Sequence, residues 1–239
     1  MVGGTGRTGL KVMRQLLDRG VRVRAIVRSR SKIPAELAGH PNLTLIEANL
    51  LSLSDEELRA HLDGCDAVIS CLGHVLTLKG VYGAPRDLVA QATARLCKAI
   101  EALAPASPIK FILMSSVSVH RDRSFDPRRG GGERAFLAVL RALLPPAQDN
   151  QRAADHLLQV IGVGHRHVEW VVVRPDSLLE GEVSKYSLHE ALVNTVFSPG
   201  ATHMANIGHF MTELVTQPEV WGAWRGKLPV IVDEPAETD

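Results

Sequence analysis

Cysteines are few in this chain, and long apolar runs are absent. Its 239 residues include 3 cysteines, Cys65, Cys71 and Cys97, and no two of them have C-x-x-C spacing. Such scatter excludes a disulfide framework and favours reduced thiols, as in a cytosolic protein. No apolar run approaches the ~20 residues of a membrane span, and the glycine-rich amino terminus does not resemble a secretory signal. The sequence therefore predicts a soluble, cytoplasmic protein without a membrane partner.

Charge of one sign is not in excess either. Lys and Arg number 27 against 26 Asp and Glu, and the formal net charge is +1. This balance gives no electrostatic footprint for nucleic acid. Segment 121–129 is locally basic, but two aspartates dilute it, and we interpret it as a solvated loop. We expect a small-molecule substrate as the partner; whether the protein is a monomer or a homodimer stays open.

What the sequence does contain is a glycine-rich turn at its start, "GGTGRTG". Gly3 permits a sharp strand-to-helix turn, Gly6 lets the backbone approach a pyrophosphate, and Gly9 allows close helix–sheet packing. The phosphates would lie on the free N–H groups of the following helix, which apolar residues at helical spacing predict over 10–19. The pattern indicates a nucleotide site.

The strand that should precede this turn is nearly absent. Such strands are usually about five residues long, and only Met1 and Val2 stand before the glycines. Two interpretations remain open. Either upstream residues are missing, or the central strand of the sheet is shortened and the fold loses stability.

The rest of the apolar pattern predicts alternating strands and helices. Ser54 and Glu57 form a capping box at the start of one helix. This alternation indicates an α/β fold, a doubly wound parallel sheet with helices on both faces. At 45% hydrophobic, the chain can form one domain over 1–239, with 176–239 as a substrate-side wall. Predicted strands cover 21–27, 43–48, 66–73, 109–116, 168–175 and 228–233; further predicted helices cover 87–103, 133–144, 150–161 and 208–215.

The end of the second predicted strand indicates which nicotinamide cofactor is bound. NAD sites usually carry Asp or Glu there, to accept hydrogen bonds from the ribose 2′-hydroxyl. This chain instead reads "VRSRSK", with Arg28, Arg30 and Lys32, and Arg7 lies inside the glycine turn. A guanidinium pairs with a 2′-phosphate in bidentate fashion. We therefore predict NADP(H) rather than NAD.

These segments also carry a family resemblance. "GGTGRTG", "VRSRSK", "DAVISCLG", "FILMSS" and "WVVVRPDSL" occur in the order found in NmrA-like, atypical short-chain dehydrogenase/reductase proteins, to which the chain is similar over nearly its whole length. The flavin reductase biliverdin reductase B is of the same general type. The resemblance implies an NAD(P)-binding Rossmann fold. It also implies a set of cofactor-binding residues: Gly3, Thr5, Gly6, Arg7, Thr8, Gly9, Arg28, Asn49, Leu50, Cys71, Leu72, Gly73, Arg174 and Pro175.

Within that set, the resemblance assigns roles to positions. The glycine turn would hold the pyrophosphate, Arg28 the 2′-phosphate, and Asn49 with Leu50 would lie beside adenine. Residues 71–73 would line the ribose and nicotinamide. Ser115 and Ser116 end a strand where short-chain dehydrogenases keep a catalytic serine. They are candidate catalytic residues, as is His120, which could act as an acid near neutral pH.

The chain departs from the family pattern in one important respect. The Tyr-x-x-x-Lys pair of the standard enzymes is missing, and "QDNQRAADHLL" stands in its place, where Asp149 and Asn150 suggest a helix cap. Without that pair the usual proton donor to a carbonyl is absent. We therefore expect an NADPH-dependent reductase of a conjugated acceptor such as a quinone, flavin or enone. Alternatives are an NADP(H)-sensing regulator without turnover and a sugar-nucleotide epimerase or dehydratase. No metal site is predicted, because His165 and His167 lack a carboxylate or cysteine at ligand spacing.

Overall fold

Strands and helices alternate in the first half of the described chain, whereas the second half groups helices with helices and strands with strands. The structure, a computed structural model, describes residues 1–74, 85–119, 121 and 124–234, apart from the side chain of residue 141. The strands are β1 (Val23–Val27), β2 (Leu43–Glu47), β3 (Ala67–Ser70), β4 (Ile109–Met114), β5 (Val168–Pro175), β6 (Ser177–Leu179), β7 (Tyr186–His189), β8 (Ala201–His203) and β9 (Val230–Asp233). The helices are α1 (Arg7–Asp18), α2 (Ala35–Ala38), α3 (Asp55–Leu62), α4 (Leu88–Leu103), α5 (Gly131–Leu143), α6 (Pro145–Asp155), α7 (Met204–Thr216) and α8 (Pro218–Trp224), and Arg30–Lys32, Leu50–Ser52 and His156–Ile161 form short 3₁₀ or π turns.

The strands form a mainly parallel sheet in the order β2-β1-Val2-β3-β4-β5-β9-β7. Val2 bridges Ile26 of β1 and Ser70 of β3, both in parallel. β7 alone in this order pairs antiparallel, against β9. One core cluster packs α3, α4 and α6 on one face, and a second packs α1, α7 and α8 on the other. The prediction of a doubly wound parallel sheet is therefore confirmed.

The central strand of this sheet is reduced to one bridging residue. Val2 N–H donates to Ile69 O at 2.9 Å, and Cys71 N–H donates to Val2 O at 3.0 Å. On the other side, the Met1 amine donates to Arg24 O at 2.7 Å, and Ile26 N–H donates to Met1 O at 3.0 Å. Four hydrogen bonds from two residues thus join β1 to β3.

A cleft occupies the space beyond Met1, where a longer strand would continue. Its volume is about 540 Å³, and Met1, Arg24, Ala67, Ile69 and Val215 contribute to its walls. Because hydrogen bonds in a parallel pair are regularly spaced, the observed bonds direct the N–H groups of Arg24 and Ile69 into the cleft. Burial lowers the pKa of the Met1 amine to about 6. The cleft has the hydrogen-bonding edges that one further strand segment requires.

Helix α6 corrects one sequence prediction. The pattern predicted a helix from residue 150, with Pro145 and Pro146 ending the helix before it. In the structure α6 begins at Pro145, because proline suits the first helical position, where no N–H donor is needed. Asp149 therefore lies inside α6 instead of capping it.

The carboxyl-terminal region contributes strands β9 and β7 to one edge of the sheet. β5 is buried along nearly its whole length, as its apolar run predicts. β6 pairs with β8, and β9 lies beside β5. Of the helices in the described residues, none has both the length and the hydrophobicity needed to cross a membrane.

Filling the cleft with chain should stabilise the protein. We predict that adding Lys-Val-Ile-Val before Met1 raises the unfolding free energy by about 2 kcal/mol through apolar burial and strand pairing. For a domain of this size that is about 4–8 °C in Tm. Thermal unfolding of the two chains measures the difference, and a Gly-Ser extension of equal length serves as the control.

The gain should also depend on pH, because the extension converts the Met1 amine into an amide. The pKa of the amine is about 6 in the folded chain and 8.0 for an ordinary amino terminus. The unextended chain therefore gains stability as pH rises from about 6 to 8, since its unfolded state then binds more protons. The apolar extension should therefore add the ~2 kcal/mol from burial and strand pairing above pH 8, and about 2–3 kcal/mol more below pH 6, where the unextended chain must bury a charged amine. Equal Tm values for the apolar and Gly-Ser extensions at every pH would contradict this account of the cleft.

Candidate nucleotide site

The glycine turn is built so tightly that side chains are excluded. Gly3 has φ +74°, and a Cβ placed on it would lie 2.3 Å from the carbonyl carbon of Cys71. A Cβ on Gly9 would lie 2.2 Å from Gly3 O. Gly6 N–H donates to Gly3 O at 3.1 Å and closes the turn. This close backbone packing leaves the start of α1 open, as a phosphate cradle requires.

The first turn of α1 supplies the donors for an anion. The N–H groups of residues 7–9 have no acceptor within the helix, and Gly6 provides no side-chain cap. No acidic residue lies in this first turn, so the helix dipole is not compensated by the chain itself. Thr5 lies within the turn, and the side chain of Thr8 is buried beneath it. The geometry fits a pyrophosphate.

Arg7 has an acidic neighbour from the carboxyl-terminal region. Its Nη1 lies 3.7 Å from Glu180 Oε1, and Lys11 Nζ lies 3.6 Å from Glu180 Oε2. Both contacts are long and largely exposed, so they contribute little to stability. They do place Glu180, in the segment that follows β6, beside the first turn of α1.

The arginines at the end of β1 are not equivalent. Arg30 Nη2 donates to Leu45 O at 2.9 Å, and its Nε lies 3.8 Å from Glu47 Oε2, so it is engaged with β2. Arg28 is exposed, and its guanidinium has no hydrogen bond or ion pair with any of the described residues. The structure thus leaves Arg28 as a cation available to a ligand at this edge.

The end of β2 forms a wall held from behind by α4. Asn49 Oδ1 accepts from Leu51 N–H at 3.2 Å and caps the short turn. Arg95 Nη1 donates to the carbonyls of Leu50 and Leu51 at 3.0 and 2.8 Å. Leu50 is buried, and Asn49 is exposed. Asn49 keeps an exposed side chain at the position predicted to lie beside adenine.

Residues 71–73 pass directly over the glycine turn, as the contact with Gly3 shows. Burial raises the pKa of the Cys71 thiol to about 12, so the thiol stays protonated and is a poor nucleophile. Leu72 packs against the core cluster on the α4 side, and a Cβ added to Gly73 would meet none of the described residues within 4 Å. Cys71 packs against the core cluster on the α1 side of the sheet.

The two serines after β4 have different surroundings. Ser116 Oγ donates to Ser118 Oγ at 2.9 Å and accepts from Ser118 N–H at 3.0 Å, which forms a local turn. Ser115 is 93% buried, and its Oγ has no hydrogen-bond partner among the residues that the structure describes. A buried hydroxyl without a partner is uncommon. Ser115 is thus the stronger candidate for a ligand contact.

Arg174 occupies a structural position. Its side chain is fully buried, and Nη1 donates to Asp126 Oδ2 at 2.8 Å while Nε donates to Leu228 O at 2.9 Å. Nη2 donates to Glu190 O at 3.2 Å, so every guanidinium nitrogen has a protein acceptor. The geometry gives no support to a cofactor contact through this side chain; the neighbouring Pro175 is also buried.

Some predicted groups lie elsewhere. His120, which the sequence offered as a candidate acid, lies outside the described residues. Tyr186 donates to Glu213 Oε2 at 3.0 Å, and burial together with this carboxylate raises the pKa of its hydroxyl. A tyrosine in this state cannot replace the proton donor of the standard enzymes near neutral pH.

Sequence reasoning missed His74. Its Nε2 lies 2.8 Å from Asp149 Oδ2, and both side chains are nearly inaccessible, at 6% and 0% exposed. Asp149 also accepts from Val89 and Ala90 N–H at 2.8 Å each, so it caps α4 and not its own helix. The available signal was a histidine directly after the "CLG" that ends the β3 segment.

A glycine turn at a helix start, beside the carboxyl ends of parallel strands, defines a Rossmann-type nucleotide-binding protein. The chain belongs to a family described as NAD(P)H-binding, whose model matches residues 3–218. The NmrA-like, atypical short-chain dehydrogenase resemblance is consistent with this membership. A search of the curated proteins finds no match.

Solved structures share the fold at low sequence identity. A short-chain dehydrogenase/reductase from Veillonella parvula in complex with NADP has a TM-score of 0.69 at 14% identity, covering 98% of this chain and 93% of that one. An oxidoreductase from Lactococcus lactis has a TM-score of 0.67 at 19% identity, covering 99% and 92%. A proposed NADH-flavin reductase from Streptococcus pneumoniae has a TM-score of 0.62 at 19% identity, covering 98% and 97%. These likenesses establish the Rossmann-type architecture.

The tight turn makes a sharp prediction about Gly9. Gly9→Ala should destabilise the protein by about 1–3 kcal/mol, because the new methyl group meets the Gly3 carbonyl and the turn must shift. The same shift should weaken nucleotide binding. Thermal unfolding and calorimetric titration with NADPH measure the two effects. Gly39→Ala is the matched control, because nothing lies within 4 Å of its added Cβ. Equal stability and affinity in the two variants would contradict the assignment.

Proposed function

We propose that the protein is an NADP(H)-dependent oxidoreductase that reduces a small conjugated acceptor such as a quinone, flavin or enone. The observation that carries the cofactor choice is the difference between Arg28 and Arg30. Arg30 is bound to β2, whereas Arg28 is exposed at the β1 end without a partner among the described residues. A guanidinium at this place suits a 2′-phosphate, which NADPH has and NADH lacks.

In this proposal the cofactor lies along the carboxyl edge of the sheet. The first N–H groups of α1 would hold the pyrophosphate, Arg28 the 2′-phosphate, and Asn49 with Leu50 the adenine. Residues 71–73 would lie along the ribose and nicotinamide. When bound, the nicotinamide supplies hydride; the chain's part is to orient it and to exclude water.

The acceptor class follows from the proton donors at the site. The Tyr-x-x-x-Lys pair is missing from the sequence, and Tyr186 is held by Glu213. A simple carbonyl needs a strong proton donor when it accepts hydride. A conjugated acceptor delocalises the charge and needs less assistance. The orphan Ser115 Oγ could donate a hydrogen bond to the acceptor's oxygen.

Charge reversal at Arg28 tests the cofactor choice. We predict that wild-type protein binds NADPH more tightly than NADH, and that Arg28→Glu weakens NADPH binding about 10-fold or more, because a charge-assisted hydrogen bond is replaced by repulsion. NADH binding should change little. Calorimetric titration gives both constants. Arg22→Glu, just before the opposite end of β1, is the control with the same change in charge. If the ratio of NADPH to NADH affinity in Arg28→Glu equals that of the wild type, the assignment of Arg28 is contradicted.

The reaction itself is tested by following NADPH oxidation with a panel of quinones, flavins and enones. Turnover of at least one class supports the proposal. Tight NADPH binding with no turnover of any acceptor would instead favour an NADP(H)-sensing regulator, the alternative that the missing Tyr/Lys pair already suggests.

A further inference from the structure

Helix α5 directs charged side chains toward the protein and leaves large apolar ones in solvent. Arg134 Nε donates to Arg129 O at 2.8 Å, and its Nη2 donates to Asp126 O at 2.9 Å. Glu133 is buried, and its Oε1 accepts from Val196 N–H at 3.0 Å. A surface helix ordinarily has the reverse arrangement, with its apolar stripe on the core and its charges in water.

The exposed face of α5 is apolar along the rest of the helix. Between 135 and 143, the exposed residues whose side chains the structure describes are Ala135, Phe136, Ala138, Val139, Ala142 and Leu143. Phe197, from the loop between β7 and β8, extends this face, and its ring centroid lies 5.6 Å from that of Phe136. On the inner side of the helix, Leu137 is buried. A helix that is apolar on both sides is normally covered on both sides.

The exposed area of this face approaches what one partner contributes to a stable interface. Phe136, Val139, Leu143 and Phe197, which we call the α5 stripe, are each between 47% and 71% exposed. They leave about 400–500 Å² of large apolar side chain in water, a patch size that is often functional. Two copies joined through this face would cover about 900 Å² from the stripes alone. The alanines and a surrounding rim would bring the total into the range of ~1,200–2,000 Å² of a stable interface.

The shape of the face fits a second copy of itself. With about 3.6 residues per turn, the large side chains of α5 form a ridge along one half of the exposed face, and Ala135, Ala138 and Ala142 form a groove along the other. A two-fold axis parallel to the helices lays the ridge of each copy in the groove of the other. A lipid surface fits less well, because membrane-binding helices carry Lys and Arg beside their apolar face, whereas Arg134 is bound to the protein's own carbonyls.

From this geometry we propose that the protein is a homodimer in which the α5 stripes of two copies pack against each other. Phe136 and Phe197 are the aromatic anchors of the contact, since aromatic side chains at the centre of an interface carry much of its binding energy. The hydrogen bond between Glu133 and Val196 joins α5 to the loop that carries Phe197, so the partner contacts both elements at once. The proposal does not depend on the cofactor, and its failure would leave the proposed function unaffected.

The mass of the protein in solution tests the proposal. Analytical ultracentrifugation of the wild type at about 1–100 μM should give twice the 25.9 kDa of one chain. Val139→Glu brings two carboxylates into the apolar contact and should raise the dimer dissociation constant about 100-fold or more. The circular dichroism spectrum should stay that of the wild type, because Val139 is exposed in the single chain. Val160→Glu, the same change at a 67% exposed valine outside the stripe, is the control and should remain dimeric.

Opposite charges at one position distinguish a lost interface from a lost fold. Val139→Lys alone should also be monomeric, whereas an equal mixture of Val139→Glu and Val139→Lys should recover the dimer mass, because the two charges then meet across the two-fold axis. A wild type that is monomeric throughout the concentration range overturns the proposal; if that monomer sediments with vesicles of phosphatidylcholine and phosphatidylserine, the stripe binds lipid. A dimer that survives both charge variants, or a mixture that stays monomeric, overturns it as well.

Discussion

The backbone hydrogen bonds of Met1 and Val2 are the interaction on which the rest of the structure depends. They join β1 and β2 to the five remaining strands of the sheet, and the bridge contains only Val2. Gly3 follows at once, so the position of the glycine turn over residues 71–73 is set by the same bonds. Beyond Met1, the cleft leaves the facing edges of β1 and β3 without a strand between them. The stability of the sheet and the geometry of the site therefore depend on the same two residues.

The site combines fixed and available groups in a consistent way. The buried pair of Arg174 and Asp126 ties the end of β5 to the loop before α5, and Arg95 fixes the loop after β2 from behind. Arg174 and Arg95 are therefore engaged in hydrogen bonds that hold the walls of the site in place. Arg28 and the first N–H groups of α1 remain for a ligand. In a chain of nearly neutral charge, this division concentrates the available donors at one edge of the sheet, as the proposed phosphate site requires.

Local signals were sufficient for the fold and for the glycine turn. The continuous apolar run of β5, the Ser54 capping box and the glycine spacing each specify structure within a few residues, and each appears as predicted. Contacts between residues that are far apart in the sequence could not be predicted. His74 meets Asp149 across 75 positions, and the pattern around Asp149 equally suited a cap of its own helix. Nor could sequence separate Arg28 from Arg30, because their partners lie on another strand.

The most direct test of the account is a crystal structure of the protein grown with NADPH. The account predicts the pyrophosphate on the N–H groups at the start of α1, the 2′-phosphate within hydrogen-bond distance of Arg28, and the nicotinamide beside residues 71–73. A nucleotide bound with its pyrophosphate away from the glycine turn, or with its 2′-phosphate away from Arg28, would contradict it.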